Sequence, residues 1–312
     1  MYYIGVDIGG TGIQAGIVDE YGQVVLKKEC RTNVEAGFES IMDDIKNLVD
    51  SLLLDKNISI KDIKSVGFGV PSFINNEGLI SCVNLGWNEV NFIKAIKDRF
   101  EDIEVFAEND AKAAALAEAK FGSMKNKRIG VMYTLGTGVG GGIVINEDVF
   151  IGANNMGGAI GHTIIGENYY DCNCGNNGCL ETFCSATAII KYATKLIKEG
   201  HKSIILDKAN NDINSINAKI IFEAFKEDDS VAIKTINRFK LYLAKSIASM
   251  INTLDPDVIC IGGGVSRSSE IILDKINDLV REHLLYKNEN FAEIVSASLG
   301  ADAGIIGAAF LN

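Results

Sequence analysis

Apolar positions fall into a simple rhythm at the start of the chain. Residues 2–8 run apolar or alternate into Asp7, break at Gly9-Gly10-Thr11-Gly12, and resume over residues 13–18. A turn at Asp19-Glu20-Tyr21-Gly22 leads to a third such run over residues 23–29. Period-two runs separated by short glycine turns predict an antiparallel meander. The period then changes: Phe38, Ile41, Ile45, Leu48, Val49 and Leu52 recur at helical spacing and predict a helix over residues 37–54. A buried strand is expected over 63–70, ending at Pro71, with a helix over 92–100 and a short strand over 105–107. An alanine-rich helix follows to Phe121-Gly122. The order βββαβαβα defines an α/β domain with a mixed sheet.

A second block begins near Arg128. Residues 129–135 and 139–145 are strand patterns flanking Gly136-Thr137-Gly138. Residues 150–180 show little periodicity and are rich in Gly, Asn and Cys. From Glu181 the pattern is mainly helical, with strong amphipathic segments over 220–225 and 231–254. A buried strand over 258–261 is capped by Gly262-Gly263-Gly264, and helices are expected over 271–285 and 301–311. The two glycine hairpins read as one motif used twice, which suits two domains of related topology facing each other. A length of 312 residues agrees with about two domains.

Composition narrows the partners. The net charge of -11 argues against nucleic acid or an anionic membrane as a bulk partner. No apolar N-terminal stretch follows a basic segment, and no uncharged run approaches the ~20 residues of a membrane span, so a cytoplasmic location is expected. Of seven cysteines, three crowd into Cys172, Cys174 and Cys179. In a reducing compartment that pattern reads as metal ligation before disulfides.

Three features carry chemistry. The stretch Glu108-Asn109-Asp110-Ala111-Lys112-Ala113 follows the apolar run Val105-Phe106-Ala107 and opens the alanine-rich helix. Asp110 reads either as an N-cap or as a fixed, ionised carboxylate able to accept a substrate proton. Asp7-x-Gly9-Gly10-Thr11 sets a carboxylate at a strand end beside a turn whose N–H groups can face phosphate oxygens. Thr11 can add a hydroxyl, and Asp7 can hold Mg²⁺ directly or through water. Thr134-Leu135-Gly136-Thr137-Gly138 repeats this chemistry, and Gly263-Gly264 end a strand before a helix. One glycine hairpin is more often only a tight turn, but three on strand ends favour a nucleotide cleft between domains. None matches a P-loop or a dinucleotide fingerprint. Finally, His162 with Cys172, Cys174 and Cys179 makes a Cys₃His set, the donor set of a closed, structural Zn²⁺ site. Such a site leaves the second imidazole nitrogen of His162 for a substrate hydroxyl.

Taken together, Asp7-Ile8-Gly9-Gly10-Thr11, Asn84-Leu85-Gly86-Trp87, Glu108-Asn109-Asp110-Ala111, Leu135 to Gly142, Gly161-His162, the cysteine run to Glu181, Asp255-Pro256 with Gly262-Gly263-Gly264, and the tail from Gly300 to Ala309 resemble the ROK family (repressor, open reading frame, kinase) over essentially the whole chain. The resemblance implies a two-domain actin-like ATPase (ribonuclease H-like) α/β fold, with nucleotide and sugar in the interdomain cleft. It implies a small domain of residues 1–112 plus about 300–312, and a large domain of 113–299 with the zinc loop. It implies transfer of the ATP γ-phosphate to the 6-hydroxyl of a hexose or hexosamine, glucose first, with Asp110 as general base. Asn84, Asn109, His162 and Glu181 then bind the sugar. Asp7, Gly9, Gly10, Thr11, Thr134, Gly136, Thr137, Gly138, Gly263 and Gly264 bind ATP with Mg²⁺. A homodimer is expected on the same ground. The first strand begins at Tyr2, so the helix-turn-helix of family repressors is not expected. Two residues depart from the family pattern. Ala159 stands where a sugar-gripping Glu is usual, and Ser72 where Gly is usual after Pro71. Losing one hydroxyl contact costs about 1–3 kcal/mol, so a modified sugar such as N-acetylmannosamine, or sugar binding without catalysis, stands as the alternative.

Overall fold

The N-terminal meander forms as β1 (Tyr2–Ile8), β2 (Gly12–Asp19) and β3 (Val24–Arg31). It is followed by α1 (Gly37–Lys56), β4 (Ile63–Val70), a hairpin of β5 (Leu79–Cys82) and β6 (Trp87–Asn91), α2 (Phe92–Arg99), β7 (Glu104–Asn109) and α3 (Asp110–Phe121). The computed structural model describes residues 1–311; Asn312, the end of the expected C-terminal segment, lies outside the described residues. The first sheet has the order β3-β2-β1-β4-β7, antiparallel across the meander and parallel from β1 to β4 to β7.

Strand alternation gives this sheet two different faces. Ile4, Val6 and Ile8 share one buried cluster with Ile41, Ile45, Val49 and Leu52 of α1. On the other face, Gly5 and Gly67 are register partners. A Cβ at Gly5 would stand 1.8 Å from the Ile305 carbonyl oxygen, and one at Gly67 1.8 Å from that of Ala308. Backbone therefore meets backbone where α11 (Ala303–Ala309) crosses the sheet. On its far side α11 sets Gly307 against Ala113 of α3, with 1.7 Å between the would-be Cβ and the carbonyl oxygen.

The second sheet follows the same plan. Its strands are β8 (Ile129–Leu135), β9 (Val139–Ile145), β10 (Asp148–Val149), β11 (Val258–Gly262) and β12 (Glu293–Ser296), in the order β10-β9-β8-β11-β12. Between β10 and β11 come α4 (Glu181–Cys184), α5 (Ala186–Lys198), α6 (Ile204–Lys208), α7 (Ala218–Lys226) and α8 (Ser230–Leu254). The buried side of α8 carries Ile236, Phe239, Leu243 and Ile247, and its Ser246 hydroxyl meets the buried Tyr133 hydroxyl at 3.1 Å.

The single helix expected over 271–285 is two, α9 (Ser269–Leu273) and α10 (Ile276–His283). Lys275 between them is left-handed, with φ of 54°. The cause lies on α8: the buried Lys240 ammonium donates to the Asp274 carbonyl and sits 3.6 Å from its carboxylate. A carbonyl turned toward that cation is withdrawn from the helical ladder.

Contacts divide the chain into two compact units, Met1–Gly130 with Gly142–Gly158 and the stretch from Ala297, and Val131–Gly141 with Ala159–Ser296. The expected limit between residues 112 and 113 falls inside α3, whose Ala113 backbone carries Gly307. No helix among the described residues is long and apolar enough to cross a membrane.

Candidate functional site

In the first unit, β1 delivers Asp7, β7 delivers Asn109, and Asp110 opens α3. The cap of this helix is Asn109 and not Asp110. The Asn109 Oδ1 accepts from the N–H groups of Ala111 (3.1 Å) and Lys112 (3.3 Å). Its amide donates to the carbonyls of Val70 and Ser72, both at 3.4 Å. Relieved of capping, Asp110 is the first helical residue, where the dipole favours negative charge. Its Oδ1 accepts from the Ala111 N–H at 2.7 Å.

Asp7 and Asp110 flank Gly69 of β4: a Cβ there would lie 3.7 Å from Asp7 Oδ1 and 3.5 Å from Asp110 Cα. Burial, and then the charge of Asp110, raise the Asp7 carboxyl to about 6. Burial also raises Asp110, against the opposing hydrogen bond from Ala111. Asp7 has no ion-pair partner among the described residues, and the start of α11 closes over it, with Gly304 so near that a Cβ would stand 2.4 Å from Asp7 Oδ2. A hard oxygen donor without a cation beside a second carboxylate is chemistry suited to Mg²⁺. The turn after Asp7 is closed by the Gly9 N–H on the Gly12 carbonyl at 2.9 Å, and Thr32 holds the Gly9 carbonyl at 2.6 Å. Thr11 is exposed, as is Asn84, whose Cβ is 3.6 Å from the Cβ position of Gly10.

The sequence assigns no role to Glu108, Lys112 or Glu118. The buried Lys112 ammonium is 3.2 Å from Glu108 and donates to the Asn155 carbonyl at 2.8 Å. The i,i+4 spacing of these opposite charges was the available signal. Glu118, with 0% exposure, accepts from the N–H groups of Ser123 (2.7 Å), Ser298 (2.9 Å) and Leu299 (2.8 Å). No local pattern marks it, because two of its donors lie 180 and 181 residues away.

In the second unit, the Gly136 N–H closes the β8–β9 turn on the Gly138 carbonyl at 2.9 Å. Thr134 is half-buried and Thr137 exposed. Gly263, at φ of 88°, lies against the Leu135 backbone, where a Cβ would be 2.5 Å from its nitrogen; Gly264 faces open space.

The donor atoms of His162, Cys172, Cys174 and Cys179 all lie within 4.8 Å of one another. Cys174 and Cys179 sulfurs are 3.6 Å apart, and Cys172 Sγ is 3.7 Å from His162 Nδ1. Thiolates at about 2.3 Å from a tetrahedral ion stand about 3.8 Å from one another, so this donor set fits Zn²⁺. All seven cysteines are free thiols. The loop folds this way because Gly175 and Gly178 supply φ of 91° and 87°, and Gly178 backs onto the Gly166 carbonyl. Glu181 follows the cluster, and its Oε2 accepts from the Val139 N–H at 2.9 Å.

A repeated sheet, a glycine turn after the first hairpin strand of each copy, and an acid opening the helix after a parallel strand define an actin-like ATPase fold. The profile of the ROK family matches residues 3–312. The chain is 38% identical to a glucokinase of Halalkalibacterium halodurans over 99% of this chain and 94% of that one. It is 33% identical to a glucokinase of Thermotoga maritima, over 98% and 95%. The crystal structure of a ROK family glucokinase from Streptomyces griseus in complex with glucose and AMPPNP is similar at a TM-score of 0.84, with 30% identity over 99% and 98%. This chain belongs to the ROK family.

Proposed function

We propose that the chain is an ATP-dependent sugar kinase that transfers the γ-phosphate to the 6-hydroxyl of glucose. The observation that carries this reading is Asp110: a half-buried carboxylate, freed from capping by Asn109, at the positive end of a helix and beside Asp7. Phosphoryl transfer asks mainly for positioning and charge stabilisation. Asp110 accepts the hydroxyl proton as the hydroxyl oxygen takes the phosphoryl group and ADP leaves. The turn of Gly9, Gly10 and Thr11, the turn of Thr134, Gly136, Thr137 and Gly138, and Gly263-Gly264 hold the nucleotide through backbone N–H groups. Asp7 is the donor for Mg²⁺, which when bound neutralises charge on the phosphates. Asn84, Asn109, His162 and Glu181 take sugar hydroxyls; the long amide bonds of Asn109 can be exchanged for one. A structural zinc braces His162. The glucokinase named in three similar proteins supports glucose over other hexoses.

A second reading rests on Ala159. Without a carboxylate there, the chain binds glucose without phosphorylating it, or takes a modified hexosamine. A coupled ADP-release assay over a panel of hexoses and hexosamines, on the wild type and on Ala159→Glu, separates these. Turnover on glucose, improved in Ala159→Glu, is the expected result. Absence of turnover on every sugar, with binding seen by calorimetry, favours the second reading.

A further inference from the structure

The carboxylate of Glu181 does more in this structure than end a cysteine loop. Its Oε2 accepts from the Val139 N–H at 2.9 Å and occupies the space beside Gly138, where a Cβ would stand only 2.3 Å from that oxygen. Gly138 is thus required by a side chain as much as by a ligand. The other oxygen, Oε1, lies 3.7 Å from Cys172 Sγ. The same turn is gripped from α5: the Ala186 N–H donates to the Gly136 carbonyl and the Thr187 hydroxyl to the Thr137 carbonyl, both at 2.8 Å. With these carbonyls tied back, the N–H groups of Thr137 and Gly138 have no acceptor among the described residues. They are the groups a phosphate can use. On the cysteine side, Gly161 presses on the Val139 carbonyl, with 1.8 Å between its would-be Cβ and the oxygen, one residue before His162. Leu180, between Cys179 and Glu181, donates to the Thr163 carbonyl at 2.9 Å.

We infer that Glu181 is a positioning residue for the nucleotide: it holds the Gly136–Val139 turn in its anion-accepting shape and ties that shape to the cysteine cluster. This rests on the kinase reading above and adds a second role to a residue otherwise assigned to sugar. A hydroxyl ligand acts only when sugar is present, whereas a strut under the turn acts without it.

The test is calorimetric titration of the full chain, metal-loaded, with Mg-AMPPNP and no sugar. Losing a hydrogen bond to a charged group at the turn weakens binding about tenfold in Glu181→Ala. Glu181→Gln, which keeps an oxygen for the Val139 N–H, stays within about threefold of wild type. Metal-stripped wild type, read in the same titration, moves in the same direction as Glu181→Ala. AMPPNP affinity unchanged in Glu181→Ala, with only the KM for sugar raised, overturns the inference. So does unchanged affinity in the stripped protein. If Glu181→Ala does not fold, Glu181→Asp withdraws the carboxylate by one methylene and is read the same way. Wild type that binds no AMPPNP overturns the kinase reading itself, a result distinct from equal binding by wild type and variant.

Discussion

Asp7 and Thr134 occupy the same place in two copies of one arrangement: each is the next-to-last residue of the first hairpin strand, directly before a glycine turn. In the first copy the residue is a carboxylate raised to about 6 by burial and by Asp110. In the second it is a neutral hydroxyl. The sheets match strand for strand, yet the first unit sets two acids, Asp7 and Asp110, beside Gly69, while at the matching turn of the second the N–H groups of Thr137 and Gly138 have no acceptor among the described residues. A repeated topology therefore repeats a glycine turn, and single side chains decide the chemistry beside it.

Removing the acid of the first unit has the largest expected effect. Asp110→Ala lowers kcat by about 10²–10⁴ while the Kd for Mg-AMPPNP stays close to wild type; kcat near normal in steady-state assays would remove the base from this unit. The corresponding disruption of the second unit is structural. Cys174→Ser loses its metal, read by elemental analysis, and with it about 3–5 kcal/mol of stability. That loss is seen as a fall in Tm or in folded yield. One equivalent of metal retained by the variant would contradict the ligand set.

Asp7→Asn separates stability from function. Native Asp7 keeps its proton up to about 6, whereas the unfolded chain releases it near 3.8. Wild-type stability therefore falls as pH rises through that window, and the Asn variant escapes the fall. Its gain is at most about 3 kcal/mol, full above the folded value and absent below the unfolded one. Thermal melts of the metal-free protein should show a larger Tm difference at pH 8 than at pH 5, with activity lost throughout; equal Tm at pH 8 would mean Asp7 is not held unfavourably. The smallest effect is expected on the scaffold. Gly67→Ala sets a methyl on the Ala308 carbonyl and costs about 1–3 kcal/mol; an unchanged urea midpoint would show that α11 can lift from the sheet.

Much of this was legible in the chain. Strand limits such as 63–70, 129–135 and 139–145 were recovered because those runs are apolar and bounded by glycine or proline. The cysteine cluster was legible because its donors are close in sequence and chemically distinctive. What local pattern could not give were effects of distant groups. Lys240 on α8 interrupts a helix at Asp274, Glu118 gathers donors from 298 and 299, and Glu181 reaches Val139. The hairpin β5–β6 escaped notice because two short strands with exposed Ser81, Asn88 and Glu89 show little alternation. Asp110 was offered as a cap because either of two adjacent residues can serve, and only geometry assigns the role to Asn109.

The backbone contacts at Gly5, Gly67 and Gly307 also set an order of events during synthesis. The second face of the first sheet, and the flank of α3, are covered by a helix that ends at Ala309. Until the chain has emerged from the ribosome as far as Ala309, β1 and β4 have nothing to lie against on that side. The second unit, complete by Ser296, has its whole sequence available earlier. Contacts spanning nearly the whole chain form slowly, so the half that was made first is the half that finishes folding last.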